Sequence, residues 1–189
     1  TEEIPPHLLT QQPAPPLQLD PDKLLQALRS AGRGSAQDLS GTRYEHVRVL
    51  IEDEDLWGIF CQLSQAFARA DVPTEIAEAL RLGRMTALQK ETGRIRGIVA
   101  GSVLRRLVGR AVAMQFSDEF LAATAPFQFA LQTRAGTEAL AHILRYITDA
   151  DPDAVVGSLD GIGAFDHVKR AAFLRKLHAT PQLHGIIPL

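Results

Sequence analysis

The sequence predicts a helix-rich α+β domain. Three observations lead there: several segments whose apolar residues recur every three or four positions, two short strands around a glycine turn at 85–99, and an apolar run at 154–159. Residues 1–19 come first and carry Pro5, Pro6, Pro13, Pro15 and Pro16, so they read as an extended tail or linker. Asp20-Pro21 then supplies an N-cap followed by proline at the first helical position, and Leu24, Leu25 and Leu28 form one face of a short helix ending near Gly32 and Gly34.

Tyr44 to Ile51 is a second helix, with Val47, Leu50 and Ile51 at helical spacing. The acidic run Glu52-Asp53-Glu54-Asp55 suits the positive end of a third, which extends to about Ala70 and turns Leu56, Ile59, Phe60, Leu63 and Phe67 to one side. Trp57 reads as a packing residue there, and Cys61 as a small buried filler. Pro73 opens a further helix to about Leu82. Met85–Leu88 and Ile95–Val99 follow as strands flanking Glu91-Thr92-Gly93, a basic hairpin.

A long helix is expected over 102–123, with Leu104, Leu107, Val108, Ala111, Val112 and Phe116 on one side and Pro126 beyond its end. Gly136 to about Ala150 is helical again, with Leu140, Ile143, Leu144 and Ile147 in register. Asp151-Pro152-Asp153 forms a turn, Ala154–Leu159 a short buried strand, and Val168 to Ala179 the last helix. The division expected is a tail (1–19) and one partial domain (20–189), the latter with a helical part at 20–82, the hairpin at 83–100, and helices plus one strand at 101–189.

No apolar run approaches the roughly 18 residues that a membrane span needs, so no membrane partner is expected. The acidic, proline-bearing start is unlike a secretory signal, and the missing initiator Met suggests that the left end is cut. A single cysteine forms no internal disulfide and points to a reducing compartment, nuclear or cytoplasmic. The net charge of −2 conceals an asymmetry. Residues 1–80 carry −7, residues 81–110 carry +7, and residues 111–189 carry −2. Two readings of the middle block stand on charge alone: a footprint for phosphate, or solvated cations paired with the acidic first block.

The stretch Val155 to Leu177 reads VVGSLDGIGAFDHVKRAAFLRKL. An apolar strand there would deliver Asp160 at its end, ahead of a tight Gly161-Ile162-Gly163 turn. A carboxylate so placed can hold Mg²⁺, and the glycines let a phosphate chain approach the backbone. An Asp that caps the last helix is an equal reading of the same residues.

This stretch resembles the motif LDxxxAFDxV, which carries the first catalytic aspartate of reverse transcriptases of the non-LTR retroelement type. Three upstream segments resemble that family in the family's order. LQKETGRIRGIV (88–99) is similar to its fingers motif LxKxxGxxRPI. APFQFALQTRAGTEALAHIL (125–144) is similar to its QxGFxxxxST-type segment, and GSAQDLSGTRYEHVRVL (34–50) to the segment that opens many such domains. The resemblance covers roughly residues 34–189 and implies the front fingers and palm of a right-hand polymerase that copies RNA into DNA.

The family's roles carry over onto matching positions. Asp160 would ligate two catalytic Mg²⁺ ions, with the Gly161 carbonyl completing one site. Phe165 would crowd a nucleotide's 2′-hydroxyl, and the backbone at Gly163 and Ala164 would lie against the triphosphate. Lys90 and Arg96 would grip the β- and γ-phosphates, while Arg105, Arg106 and Arg110 would contact nucleic acid. The implied partners are an RNA template, a DNA primer and deoxynucleoside triphosphates.

Three departures from the family pattern stand out. Gly97 replaces the usual proline of the fingers motif, and Gln37-Asp38-Leu39 replaces a usual Gly-Pro pair. No Tyr-x-Asp-Asp occurs anywhere in the chain; truncation before that motif is expected, and these residues alone should not polymerise. The alternatives are a domesticated, non-catalytic module that binds RNA or a protein, and a decayed retroelement fragment. Asp149, Asp151, Asp153 and Asp160 imitate a calcium loop, but Ala154 stands where such a loop requires glycine.

Overall fold

The structure, a computed structural model, describes residues 3–10, 15–130, 134–161 and 167–188. Within them lie nine α-helices and one two-stranded antiparallel sheet, the α+β class that the sequence predicts. The chain divides into two compact units. One comprises Gln12–Gln115 with Gly185–Leu189, and the other Thr1–Gln11 with Phe116–His184.

The first unit is built on α2 (Pro21–Arg29), α3 (Tyr44–Arg48), α4 (Glu54–Ala68), α5 (Thr74–Arg81), β1 (Gly83–Gln89), β2 (Ile95–Gly101) and α6 (Val103–Gln115). The expected caps are in place. The Asp20 side chain accepts from the Asp22 amide at 2.8 Å and Asp53 from the Leu56 amide at 3.0 Å, each satisfying an orphan donor of the first helical turn. Leu24, Ala27 and Leu28 line one face of α2 and pack, fully buried, against Leu107, Val108 and Ala111 of α6. Burying each leucine side chain contributes about 1.5–3 kcal/mol. Cys61 is half-buried rather than fully packed, and burial pushes its thiol up.

The end of the proline-rich segment is not a free linker. Gln65 of α4 donates to the Leu17 carbonyl at 2.8 Å and accepts from the Leu19 amide at 2.7 Å. Gln115 of α6 does the same for its neighbours, donating to the Gln18 carbonyl at 2.8 Å and accepting from the Asp20 amide at 3.0 Å. Two glutamine amides thus stand in for the neighbouring strands that an extended segment ordinarily needs. Leu17 and Leu19 are buried beneath them. Sequence alone gives no sign of this, because the partners lie 46 to 97 positions away.

The second unit holds α1 (Pro6–Leu9), α7 (Ser117–Thr124), α8 (Gly136–Ala150) and α9 (Arg170–His178). α1 packs on α9; Leu8, Ala171, Leu177 and Leu183 are buried, and His178 Nε2 lies 3.2 Å from the Leu8 carbonyl. The long helix expected over 102–123 is in fact two, α6 and α7. Phe116, with ψ of 25°, leaves the helical region, and Asp118 and Glu119 suit the first turn of the new helix. The expected buried strand at 154–159 is also absent. Those residues are irregular, Val155 is 94 % exposed and Leu159 fully so. A strand needs a neighbour to satisfy its backbone groups and cover its side chains, and none is present here among the described residues.

Candidate nucleic-acid interface

β1 and β2 form a ribbon whose register pairs Arg84 with Ala100, Thr86 with Ile98 and Leu88 with Arg96. Its turn is built on Gly93, whose φ of 77° lies in the left-handed region that glycine adopts without strain. The Gly93 amide donates to the Lys90 carbonyl and the Lys90 amide to the Arg94 carbonyl, both at 2.8 Å. This is a three-residue hairpin loop with a glycine bulge, one of the common connections.

Strand alternation sorts the side chains. Arg84 and Arg96 share one face with Thr86, Leu88 and Ile98, and Lys90 and Arg94 continue that face where they close the turn. Met85, Ala87, Ile95, Gly97 and Val99 occupy the other. All four cations of the ribbon therefore fall on one side. The apolar side is open as well, with Met85 73 % and Ile95 75 % exposed.

Lys90 and Arg96 thus lie on the same face of the ribbon. Arg84 and Arg94, which sequence reasoning counts in the basic block without singling them out, belong to the same face. Counting in twos along each strand from the turn would have found them.

The three arginines of α6 divide. The Arg106 guanidinium donates to the Ala36 carbonyl at 2.8 Å and lies over the Tyr44 ring, 5.1 Å from its centroid. Arg110 donates to the Ser30 carbonyl at 3.3 Å and to Ser30 Oγ at 3.2 Å. These two hold α6 to the 30–44 segment, so the proposed contact with nucleic acid competes with an intramolecular one. Their partners are backbone carbonyls, a hydroxyl and a ring, not the acids of the first block. Arg105 is exposed and makes no such contact among the described residues.

The root of the ribbon is fixed by Asp38, which the sequence reading treats only as a departure from a family turn. Its Oδ2 accepts from the Val103 amide at 3.0 Å, capping α6 just after β2. Its Oδ1 accepts from the amides of Ser40 and Thr42 at 3.0 and 2.9 Å and from Ser40 Oγ at 2.7 Å. Burial raises the carboxyl pKa, but the hydrogen bonds, led by Val103's, outweigh it and hold the group below the ordinary carboxylate value. Only a fold that returns residue 103 to residue 38 reveals this role.

Asp160 and Gly161 lie in exposed, irregular backbone, and Gly163, Ala164 and Phe165 lie outside the described residues. Among the described residues no group of three or more His, Cys, Asp or Glu gathers to hold a metal. Mg²⁺ demands near-octahedral oxygen ligation fixed by rigid donors. One carboxylate and one carbonyl on an unsupported segment do not fit that requirement by themselves. Comparison with protein-family models, with curated proteins and with solved structures gave no match.

Proposed function

We propose that this chain is the nucleic-acid-binding front part of a reverse-transcriptase-type domain, with the β1–β2 ribbon as its grip on phosphate. The observation that carries the reading is the collection of Arg84, Lys90, Arg94 and Arg96 on one ribbon face, none of them paired with a carboxylate among the described residues. From Arg84 to Lys90 the ribbon runs about 20 Å, at about 3.3 Å per residue. That span suits several successive phosphates of a polynucleotide. Lys90, which closes the turn, and Arg96, on the strand that follows, are the pair that the fingers motif assigns to an incoming nucleoside triphosphate. The order of the four motifs supports the same family. The chain contains no Tyr-x-Asp-Asp, so these residues are proposed to bind template and primer without extending them.

A second reading has its own observation. The segment at 155–161 is irregular and exposed, so Asp160 is not presented by a strand. A non-catalytic module that binds RNA through the same ribbon needs no such strand.

The binding claim is tested by fluorescence anisotropy with a labelled RNA oligonucleotide and an RNA–DNA primer–template over a salt series. Each phosphate contact on a single strand contributes about 0.7 to the slope of log affinity against log salt. Replacing Arg84, Lys90, Arg94 and Arg96 together by Gln should lower that slope by about 2 to 3. Arg106→Gln should leave the slope unchanged and lower stability instead. A quadruple variant with the parent slope would remove the ribbon from the interface.

A further inference from the structure

We infer that the hollow at the root of the ribbon is a binding site for a small aliphatic carboxylate. It has a volume of about 190 Å³, and its walls include Phe67, Val72, Leu80, Arg81, Arg105 and Pro188. All of these belong to the first unit. Apart from the two arginines the lining is apolar, and no acid contributes to it. A dry cavity of about 150 Å³ accommodates benzene, so this one takes an apolar body of about six carbons.

The charge of the ligand follows from the two arginines. Both are exposed, and neither has a hydrogen-bond or ion-pair partner among the described residues. Their neighbours Arg106 and Arg110 are by contrast spent on backbone carbonyls. A guanidinium beside an apolar wall is weakly hydrated and presents a planar fork that matches a carboxylate in two-point contact. A bare phosphate would satisfy the fork but leave the apolar wall unfilled, and an alcohol would do the reverse. An alkyl carboxylate does both.

The position gives the site a consequence. Arg81 is the last residue of α5, two positions before β1, and Arg105 lies in the first turn of α6, four positions after β2. An anion shared by the two joins the leg that enters the ribbon to the leg that leaves it. The site is separate from the cationic face and does not depend on that face binding nucleic acid.

The test is a titration of the full chain, ¹³C-labelled at its methyl groups, with hexanoate. The methyls of Ala70, Val72, Ala77 and Leu80 should shift together and saturate, with a dissociation constant on the order of a millimolar for so small a ligand. Hexan-1-ol, which has the same chain without the charge, should bind at least about tenfold more weakly, and inorganic phosphate should leave these methyls in place. Arg81→Gln combined with Arg105→Gln should weaken hexanoate by at least about tenfold. The side chains removed are exposed and unpartnered, so spectra away from the hollow should be unchanged. The inference is overturned by any of four results: no saturation below about 50 mM, hexanol binding as tightly as hexanoate, phosphate producing the same shifts, or undiminished hexanoate binding to the double variant.

Discussion

Asp38→Ala should unfold the first unit more easily than any other single loss of charge in it. The carboxylate is 7 % exposed and accepts four hydrogen bonds, from the amides of Val103, Ser40 and Thr42 and from Ser40 Oγ. Truncation leaves the buried Val103 amide without a partner, at a cost of about 1–3 kcal/mol. The Ser40 and Thr42 amides lie in a partly exposed loop that water can reach, and each adds about 0.5–1 kcal/mol. The expected loss at pH 7 is therefore about 2–5 kcal/mol. The folded-state pKa is lowered, so the contribution is present above the unfolded value of about 3.9 and fades as pH falls through the folded value. Urea unfolding followed by the fluorescence of Trp57, the single tryptophan and a residue of α4, reports on this unit. The parent and Asp38→Ala should differ at pH 7, and the gap should begin to narrow below about pH 4 as the pH falls towards the folded value. A gap under about 1 kcal/mol at pH 7, or one that does not narrow in acid, would refute the assignment.

Two further outcomes follow from the backbone and from exposure. Ala70 sits just past α4 with φ of 55°, and the amides of Ala70 and Asp71 donate back to the carbonyls of Phe67 and Ala66, a helix stop that prefers glycine. Ala70→Gly should accordingly stabilise the unit by about 1 kcal/mol, read from the same urea transition; a loss of stability would show that the left-handed conformation carries no strain. Asp160 is exposed and has no partner among the described residues, so Asp160→Asn should change the thermal midpoint by no more than an exposed substitution does, within about 0.5 kcal/mol. A larger loss would give Asp160 a structural role.

Local signals determined most of the elements. Asp20-Pro21 and the acidic run at 52–55 placed helix starts, because an N-cap and a first turn are satisfied by residues close in sequence. Alternation around Gly93 located the ribbon, and carried one step further it also assigns all four cations to a single face. The charge block at 81–110 was legible for the same reason, since charge is a property of composition.

What the sequence left open depends on partners distant along the chain. Whether Val155–Leu159 is a strand is decided by a neighbouring strand, and none stands beside it among the described residues. Whether Arg105, Arg106 and Arg110 face a ligand or the protein is decided by where residues 30–44 return to α6: Arg106 and Arg110 meet carbonyls there, and Arg105 does not. Asp38 looks like a worn turn until Val103 is brought to it across 65 positions, and Gln65 and Gln115 look like surface amides until Leu17 to Asp20 lies against them. Hydrogen bonds act over about 3 Å, and only the fold brings groups so far apart in sequence to that distance.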